Sequence, residues 1–215
     1  MKYRIYILLF ILLNTFQQYI YAQDPVIDSL NLVLKDTKND TTRLNILSEL
    51  SELCEIEDIL KYAEPIVKLS ESNILKDTDK THKLFYLKHL ATAFNNIGFY
   101  YDQQDDITNG LMYYHKALKI QKTIHENQEI ASTLNNIGFV YKRLGDIPRA
   151  LDYYHKSLKV EEISKNEEGV ASSLINIGSL IVDQGDNQKA LEYFFKALKF
   201  YQKNNDKKLL AIFKI

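Results

Sequence analysis

The sequence predicts an all-α chain, a stack of antiparallel helix pairs that follows an N-terminal signal peptide. Three observations carry that prediction. The tripeptide Asn-Ile-Gly recurs at 96–98, 136–138 and 176–178, each step being 40 residues. Within a step the apolar residues follow a 3.6-residue period, the spacing of one helix face. Seven Gly, three Pro and no Trp, beside 15 Tyr and 10 Phe, leave few tight turns and many large side chains to bury, a helical composition.

The repeat holds its register well beyond the tripeptide. Ala91, Ala131 and Ala171 open the units, and Asp106, Asp146 and Asp186 sit in the turns. Leu111, Leu151 and Leu191 follow, then Tyr113, Tyr153 and Tyr193, then Lys116, Lys156 and Lys196. Residues 91–130 and 131–170 share 16 of 40 positions, too many for chance to keep in step. Each unit reads as two helices. Leu134, Ile137, Gly138 and Tyr141 fall at i, i+3, i+4 and i+7 of the first, which Arg143-Leu-Gly-Asp-Ile-Pro ends. Gly145 suits the left-handed position past a helix end, Asp146 the next N-cap and Pro148 its first turn. Ala150, Leu151, Tyr154, Ser157 and Leu158 then form the stripe of the second helix, and Asn166-Glu-Glu-Gly169 closes the unit. Two such helices cannot bury their stripes alone. Stacked neighbours supply the missing core, which predicts an elongated superhelix.

Upstream the pattern continues in weaker form. Leu50, Ser51, Cys54, Ala63, Val67 and Ser70 keep the spacing of a degenerate unit starting near Leu44. The next unit starts 47 residues later instead of 40, which predicts a lengthened first helix around Leu84, Leu87 and Leu90. Ile27, Leu30 and Leu34 share one face of an N-terminal capping helix. At the far end, Leu209-Leu-Ala211 stands where a fourth unit should open, so an apolar face is expected there that could pair two chains.

The first 22 residues read as an address. Lys2 and Arg4 precede nine apolar residues, Ile5 to Leu13, before polar Asn14 and a cleavage position after Ala22. That run is about half of the roughly 20 residues needed to span a membrane, which fits a secretory signal. The expectation is an exported chain, periplasmic or secreted, with no membrane span in the mature body. An uncleaved anchor is the alternative, because Ile20 replaces the small residue usual three positions before the cut.

Composition excludes several functions. Lys+Arg 27 against Asp+Glu 28 gives a net charge of -1, with none of the basic excess that a nucleic-acid binder needs. The single cysteine, Cys54, forms no internal disulfide and no cysteine-based zinc site; at a core position it is expected to be a small buried hydrophobe. His115 and His155 share a repeat position, but Phe195 replaces them in the third unit and no carboxylate recurs beside them, so no metal is expected. His82 and His89 lack a third ligand. Glu161-Glu162 and Glu167-Glu168 are read as solvated helix ends. No phosphate loop, Ser/His/Asp set or His-Glu-x-x-His string occurs, so neither catalysis nor a cofactor is expected.

Leu134, Ile137, Gly138 and Tyr141, followed by Ala150, Tyr154 and Ser157, resemble the tetratricopeptide repeat, over most of residues 91–203. The resemblance implies a right-handed superhelical solenoid with the small Gly and Ala positions at close helix approaches. Gly110 departs from the pattern by replacing an Ala, Asp105 by replacing the turn Gly, and no Pro ends a second helix. A period six residues longer than the usual 34 or so implies a longer second helix. It is similar to the long-repeat subclass of spindle-orientation scaffolds and kinesin light chains. The resulting division is a signal peptide over 1–22, a capping helix over 23–40, a degenerate repeat over 41–78 and a repeat with an extended first helix over 79–130. Repeats over 131–170 and 171–206 follow, and 207–215 would begin another.

In this family the first helices line the concave surface, and the expected site lies there. Asn96, Asn136 and Asn176 recur at one position, with Asn95 and Asn135 beside two of them. A primary amide offers a donor and an acceptor together, the pair needed to hold an extended backbone. In the long-repeat scaffolds, Asn at this place contacts bound peptide, and Asn96, Asn136 and Asn176 match it. The other reading is that the amides bond neighbouring helices. Phe99 and Phe139 lie on the same stripe, as apolar pockets or as plain packing. Lys142 and Arg143 form a basic pair that could meet a ligand carboxylate, although the carboxylate clamp of chaperone-binding members is not reproduced. The functional expectation is an exported scaffold that binds an unidentified protein or peptide in an Asn-lined groove, without enzyme activity. The alternative is the sensor portion of a membrane signalling protein such as a histidine kinase or helix-turn-helix regulator.

Overall fold

A computed structural model describes residues 25–76 and 79–203; the expected signal segment over 1–22 and the repeat start over 207–215 lie outside them. The described residues are almost wholly helical: α1 (residues 25–36), α2 (Asp40–Leu53), α3 (Ile59–Lys76), α4 (Lys80–Gln103), α5 (Ile107–Ile124), α6 (Asn127–Arg143), α7 (Ile147–Ser164), α8 (Glu167–Asp183) and α9 (Asn187–Lys203). A short 3-10 turn, Ile56–Asp58, precedes α3. None of the described helices is long and apolar enough to cross a membrane. The chain divides into two compact units, residues 1–96 and 97–215, with the boundary inside α4.

In the first unit, Pro25 occupies the first turn of α1, where its missing N–H is not needed. Arg43 of α2 donates from Nη1 to the carbonyls of Leu34 and Thr37 at 3.2 and 2.9 Å, so a cation closes the C-terminal end of α1. Asn39 caps α2 by accepting from the Thr42 N–H at 3.0 Å. Of the residues whose spacing suggested a degenerate repeat, Leu50, Ser51, Ala63 and Ser70 are buried and Val67 is half-buried. Cys54 departs from expectation. It is the C-cap of α2, with φ -74° and ψ 163°, and is half-buried where the helix gives way to extended backbone. The lengthened first helix is present: α4 has 24 residues where α6 and α8 have 17, the two-turn excess that the 47-residue spacing implied.

The second unit shows why the period is 40. Helices of 17 and 18 residues alternate, and with the short turns between them each pair fills the 40-residue step. Between first and second helices the turn residues Asp105, Gly145 and Gly185 have φ of 58°, 71° and 85°. Only glycine takes that conformation without strain, and Asp105 adopts it too. One residue later, Asp106, Asp146 and Asp186 accept the Asn109, Arg149 and Lys189 N–H groups at 3.1, 3.0 and 3.0 Å, the expected caps.

Close approach explains the glycine of Asn-Ile-Gly. A Cβ on Gly98, Gly138 or Gly178 would lie 2.8, 2.7 or 2.6 Å from the ring of Tyr114, Tyr154 or Phe194 respectively. The aromatic ring of the second helix lies against the bare backbone of the first. One apolar cluster then runs through the unit, from Tyr114 and Leu118 through Leu134, Ile137 and Tyr154 to Ile177, Leu180 and Ala190. A second cluster, Val170, Ala171, Leu174, Ala197 and Tyr201, closes the α8–α9 end. Burial pushes the Tyr154 phenol up to about 12.

Glu161 corrects the reading of a solvated helix end. It is only 4% exposed, at the C-terminal end of α7. Its carboxyl lies against Gly169 in the first turn of α8, where any Cβ would collide with it. Burial raises its pKa, Asn166 opposes the rise by hydrogen bonding, and Oε2 has no partner within the protein. A carboxyl raised in the folded state holds its proton longer there than in the unfolded chain. Stability from this group is therefore complete below about pH 4.5 and falls as pH rises through the native value. Glu161→Gln is expected to raise the unfolding free energy by about 1 kcal/mol at pH 7, with the gap to the parent closing by pH 4 in urea titrations. The preceding repeat already carries the neutral residue at this place, Gln121, also buried.

Candidate peptide-binding face

The expected site residues fall on the first helices, α4, α6 and α8, and their surroundings differ between the two units. In the first, Asn95 and Asn96 are half-buried near the middle of α4. Asn96 donates from Nδ2 to Ser51 Oγ of α2 at 2.9 Å, and that hydroxyl donates to the Ser48 carbonyl at 2.8 Å. Ser48 Oγ and His89 Nδ1 are 2.7 Å apart, and burial lowers the pKa of the imidazole. The amide thus ends a polar chain that joins α2 to α4.

In the second unit, Asn135, Asn136 and Asn176 are half-buried. Asn176 Nδ2 donates to Asn135 Oδ1 at 3.3 Å, which joins α8 to α6. A primary amide has two N–H groups and an acceptor oxygen, so one bridging bond does not exhaust it. At least three of the five amides, Asn96, Asn135 and Asn176, therefore tie neighbouring first helices together, the role that the sequence left open beside ligand contact.

Phe99 and Phe139 are the apolar members of this face. They stand 38% and 47% exposed at the same repeat position, whereas Ile97, Ile137 and Ile177 of the same helices are sealed in the core. Exposed phenyl rings held on rigid helices present apolar area that water covers poorly. In the third repeat Ser179 takes the position.

The basic pair is engaged within the chain. Arg143 Nη1 donates to Asp102 Oδ1 at 3.1 Å and to the Asp102 carbonyl at 3.0 Å, and Nη2 donates to Asp105 Oδ1 at 2.6 Å. Burial pushes the Asp102 carboxyl up, while the guanidinium beside it pulls the other way. Lys142 Nζ lies 3.0 Å from Asp183 Oδ2 and donates to Ser179 Oγ at 3.2 Å. Each cation thus staples its helix to the next or the previous one. The expectation that they await a ligand carboxylate gives way to this pairing. Sequence reasoning missed it, although a signal was present: Asp102 with Arg143, and Lys142 with Asp183, are opposite charges 41 residues apart, one position off the repeat.

The second helices carry another regular surface. Tyr101 stacks on Tyr113 and Tyr141 on Tyr153, at 5.6 and 5.5 Å between ring centres, while Lys116 and Lys156 lie over the Tyr113 and Tyr153 rings. His115 stands 6.4 Å from Tyr153, in the Tyr-Tyr-His-Lys string that invited a metal reading, and burial lowers its pKa. Among the described residues no group of three His, Cys, Asp or Glu side chains is arranged to hold a metal ion. On α9, Leu191 and Phe195 are 48% and 60% exposed.

A helix-pair repeat with glycine-on-aromatic packing, capped turns and a stapled row of first helices defines a helical-repeat binding scaffold. The family described as tetratricopeptide repeat matches residues 89–162 and again 129–203, more than half of the chain, which belongs to that family. Solved structures agree in fold. BtubC (BKLC) from P. vanneervenii has a TM-score of 0.68 at 21% identity, covering 88% of this chain and 77% of its own. Aspartyl phosphate phosphatase F from Bacillus subtilis has 0.71 at 18%, covering 83% and 45%. A Rap protein complexed with competence and sporulation factor has 0.65 at 17%, covering 92% and 55%. The chain therefore spans about half the length of the last two. No curated protein matches its sequence.

Proposed function

We propose that the chain is an interaction scaffold, with no chemistry of its own, that binds an extended protein segment across α4, α6 and α8 of the second unit. The observation that carries this reading is the pair Phe99 and Phe139, exposed at one repeat position on successive first helices. Asn136 stands one turn before Phe139 on α6 and Asn176 one turn before Ser179 on α8, with amides suited to a peptide backbone. Aromatic side chains, Phe among them, are enriched at the cores of protein interfaces. A Rap protein of similar fold is complexed with competence and sporulation factor, which supports a reading in which this face holds a partner. Export through the segment over 1–22 places that partner outside the cytoplasm in this proposal.

A library of random peptides displayed on phage and panned against the chain tests it. The selected binders are expected to lose affinity at least tenfold for the double variant Phe99→Ser, Phe139→Ser, with helicity by circular dichroism unchanged because both rings are exposed. Binders indifferent to the double variant would overturn the reading.

A further inference from the structure

We propose that the second helices of the second unit form a basic ridge that docks on the anionic headgroup layer of a phospholipid bilayer. Charge is sorted by helix row. α5, α7 and α9 carry ten Lys or Arg against four Asp or Glu, whereas α6 and α8 carry two against four, so a nearly neutral chain holds two unlike faces. The repeat orders the excess. Lys119, Lys159 and Lys199 take one position on the three second helices, all exposed, and among the described residues no carboxylate pairs with them. Lys116, Lys156 and Lys196, also exposed, stand one turn earlier on the same helix face. Their Nζ atoms lie 4.6, 4.8 and 5.3 Å from the ring centres of Tyr113, Tyr153 and Tyr193. A ring under the cation settles a long side chain, so less freedom is lost when an anion arrives. His115 of α5, 6.4 Å from Tyr153 of α7, brings the helices that bear these lysines side by side. Acids on the ridge do not cancel it: α5 has none, and Asp152 is held by Lys156 of its own helix.

Two features select a bilayer over an acidic protein segment. Both rows are lysine throughout. Lysine is a compact, hydrated point charge, whereas reading single carboxylates favours the forked guanidinium of arginine. Exposed apolar side chains also share the ridge, Met112 one turn before Lys116 and Phe195 one turn before Lys199, at 41% and 60% exposure. They can enter the layer beneath the headgroups while the lysines stay at its surface, which an acidic chain gives no apolar layer to match.

Sedimentation of the full chain with phosphatidylcholine vesicles, with and without phosphatidylglycerol, tests this. The readout is the difference between the two vesicles, which cancels any hold of the apolar run Ile5 to Leu13 on lipid. Binding is expected to be tighter to the anionic vesicles and to lose that advantage as salt rises. Each lysine near such a surface contributes about fivefold, so Lys119→Gln, Lys159→Gln and Lys199→Gln together should weaken anionic binding about a hundredfold. The same loss of three charges in the first unit, at exposed Lys35, Lys38 and Lys76, should change it far less. Equal loss from both triple variants would overturn the ridge, because net charge alone would then set binding. No preference for anionic vesicles at low salt would overturn it as well. Polyglutamate separates the two occupants. Met112→Ser with Phe195→Ser should weaken anionic-vesicle binding at least tenfold and leave any binding of polyglutamate unchanged. Polyglutamate held more tightly than the vesicles at equal charge, and lost in the ridge triple, would assign the ridge to an acidic segment and overturn the bilayer.

Discussion

Arg143→Ala is expected to lower the unfolding free energy by about 3 kcal/mol, the low end for breaking a buried ion pair. The reason lies with the partner more than with the arginine. The Asp102 side chain is 3% exposed, and without the guanidinium it becomes a buried charge with its main counter-ion gone, while Arg143 itself reaches water at 29% exposure. Asp105, 89% exposed, loses a contact of little worth. Two further results should accompany the loss. Burial already raises the Asp102 carboxyl, and removing Arg143 raises it further, so the deficit should shrink as pH falls and the group protonates. Asp102→Asn in the Arg143→Ala background should recover part of the stability. Urea titration of the single and double variants at pH 7 and pH 5 measures all of this.

Gly138→Ala is expected to destabilise by about 1–3 kcal/mol, as overpacking does in a close-packed interior. The added methyl would lie 2.7 Å from two atoms of the Tyr154 ring and 3.4 Å from the Ala150 carbonyl oxygen. Tyr154 is 2% exposed and enclosed by the central cluster, so the ring has nowhere to swing. Relief of that clash identifies the cause. Tyr154→Leu should be less damaging in the alanine background than in the parent, a coupling that a double-mutant cycle reads directly. Additive losses would locate the damage elsewhere in the α6–α7 pair.

Much of the fold was legible because the repeat exposes its own physics. Gly138 and Tyr154 are each ambiguous alone, but recurrence at 98 with 114 and 178 with 194 marks a close helix approach. The extra length of α4 was readable as a phase shift of two turns. Polar residues were harder. Glu161 stands in a hydrophilic stretch and reads as solvated, yet the missing side chain of Gly169 opens a slot that draws its carboxyl inward. Cys54 sits at a core spacing, but the helix ends there and turns it half outward. The face itself was legible as a stripe of Asn and Phe. Which members serve the fold was not, because Asn176 to Asn135 and Arg143 to Asp102 are contacts between residues 41 apart, set by how first helices align.

The central claim is that Phe99 and Phe139 mark the surface where a partner segment lies. A photoreactive benzoylphenylalanine placed at position 139, with a control at Met112, which is 41% exposed on the second helix α5, tests it most directly. On irradiation with a library-selected peptide, position 139 should yield the adduct, and mass mapping should place it on an apolar side chain of the peptide. Adducts from position 112 alone would contradict the account and move the binding surface to the second helices.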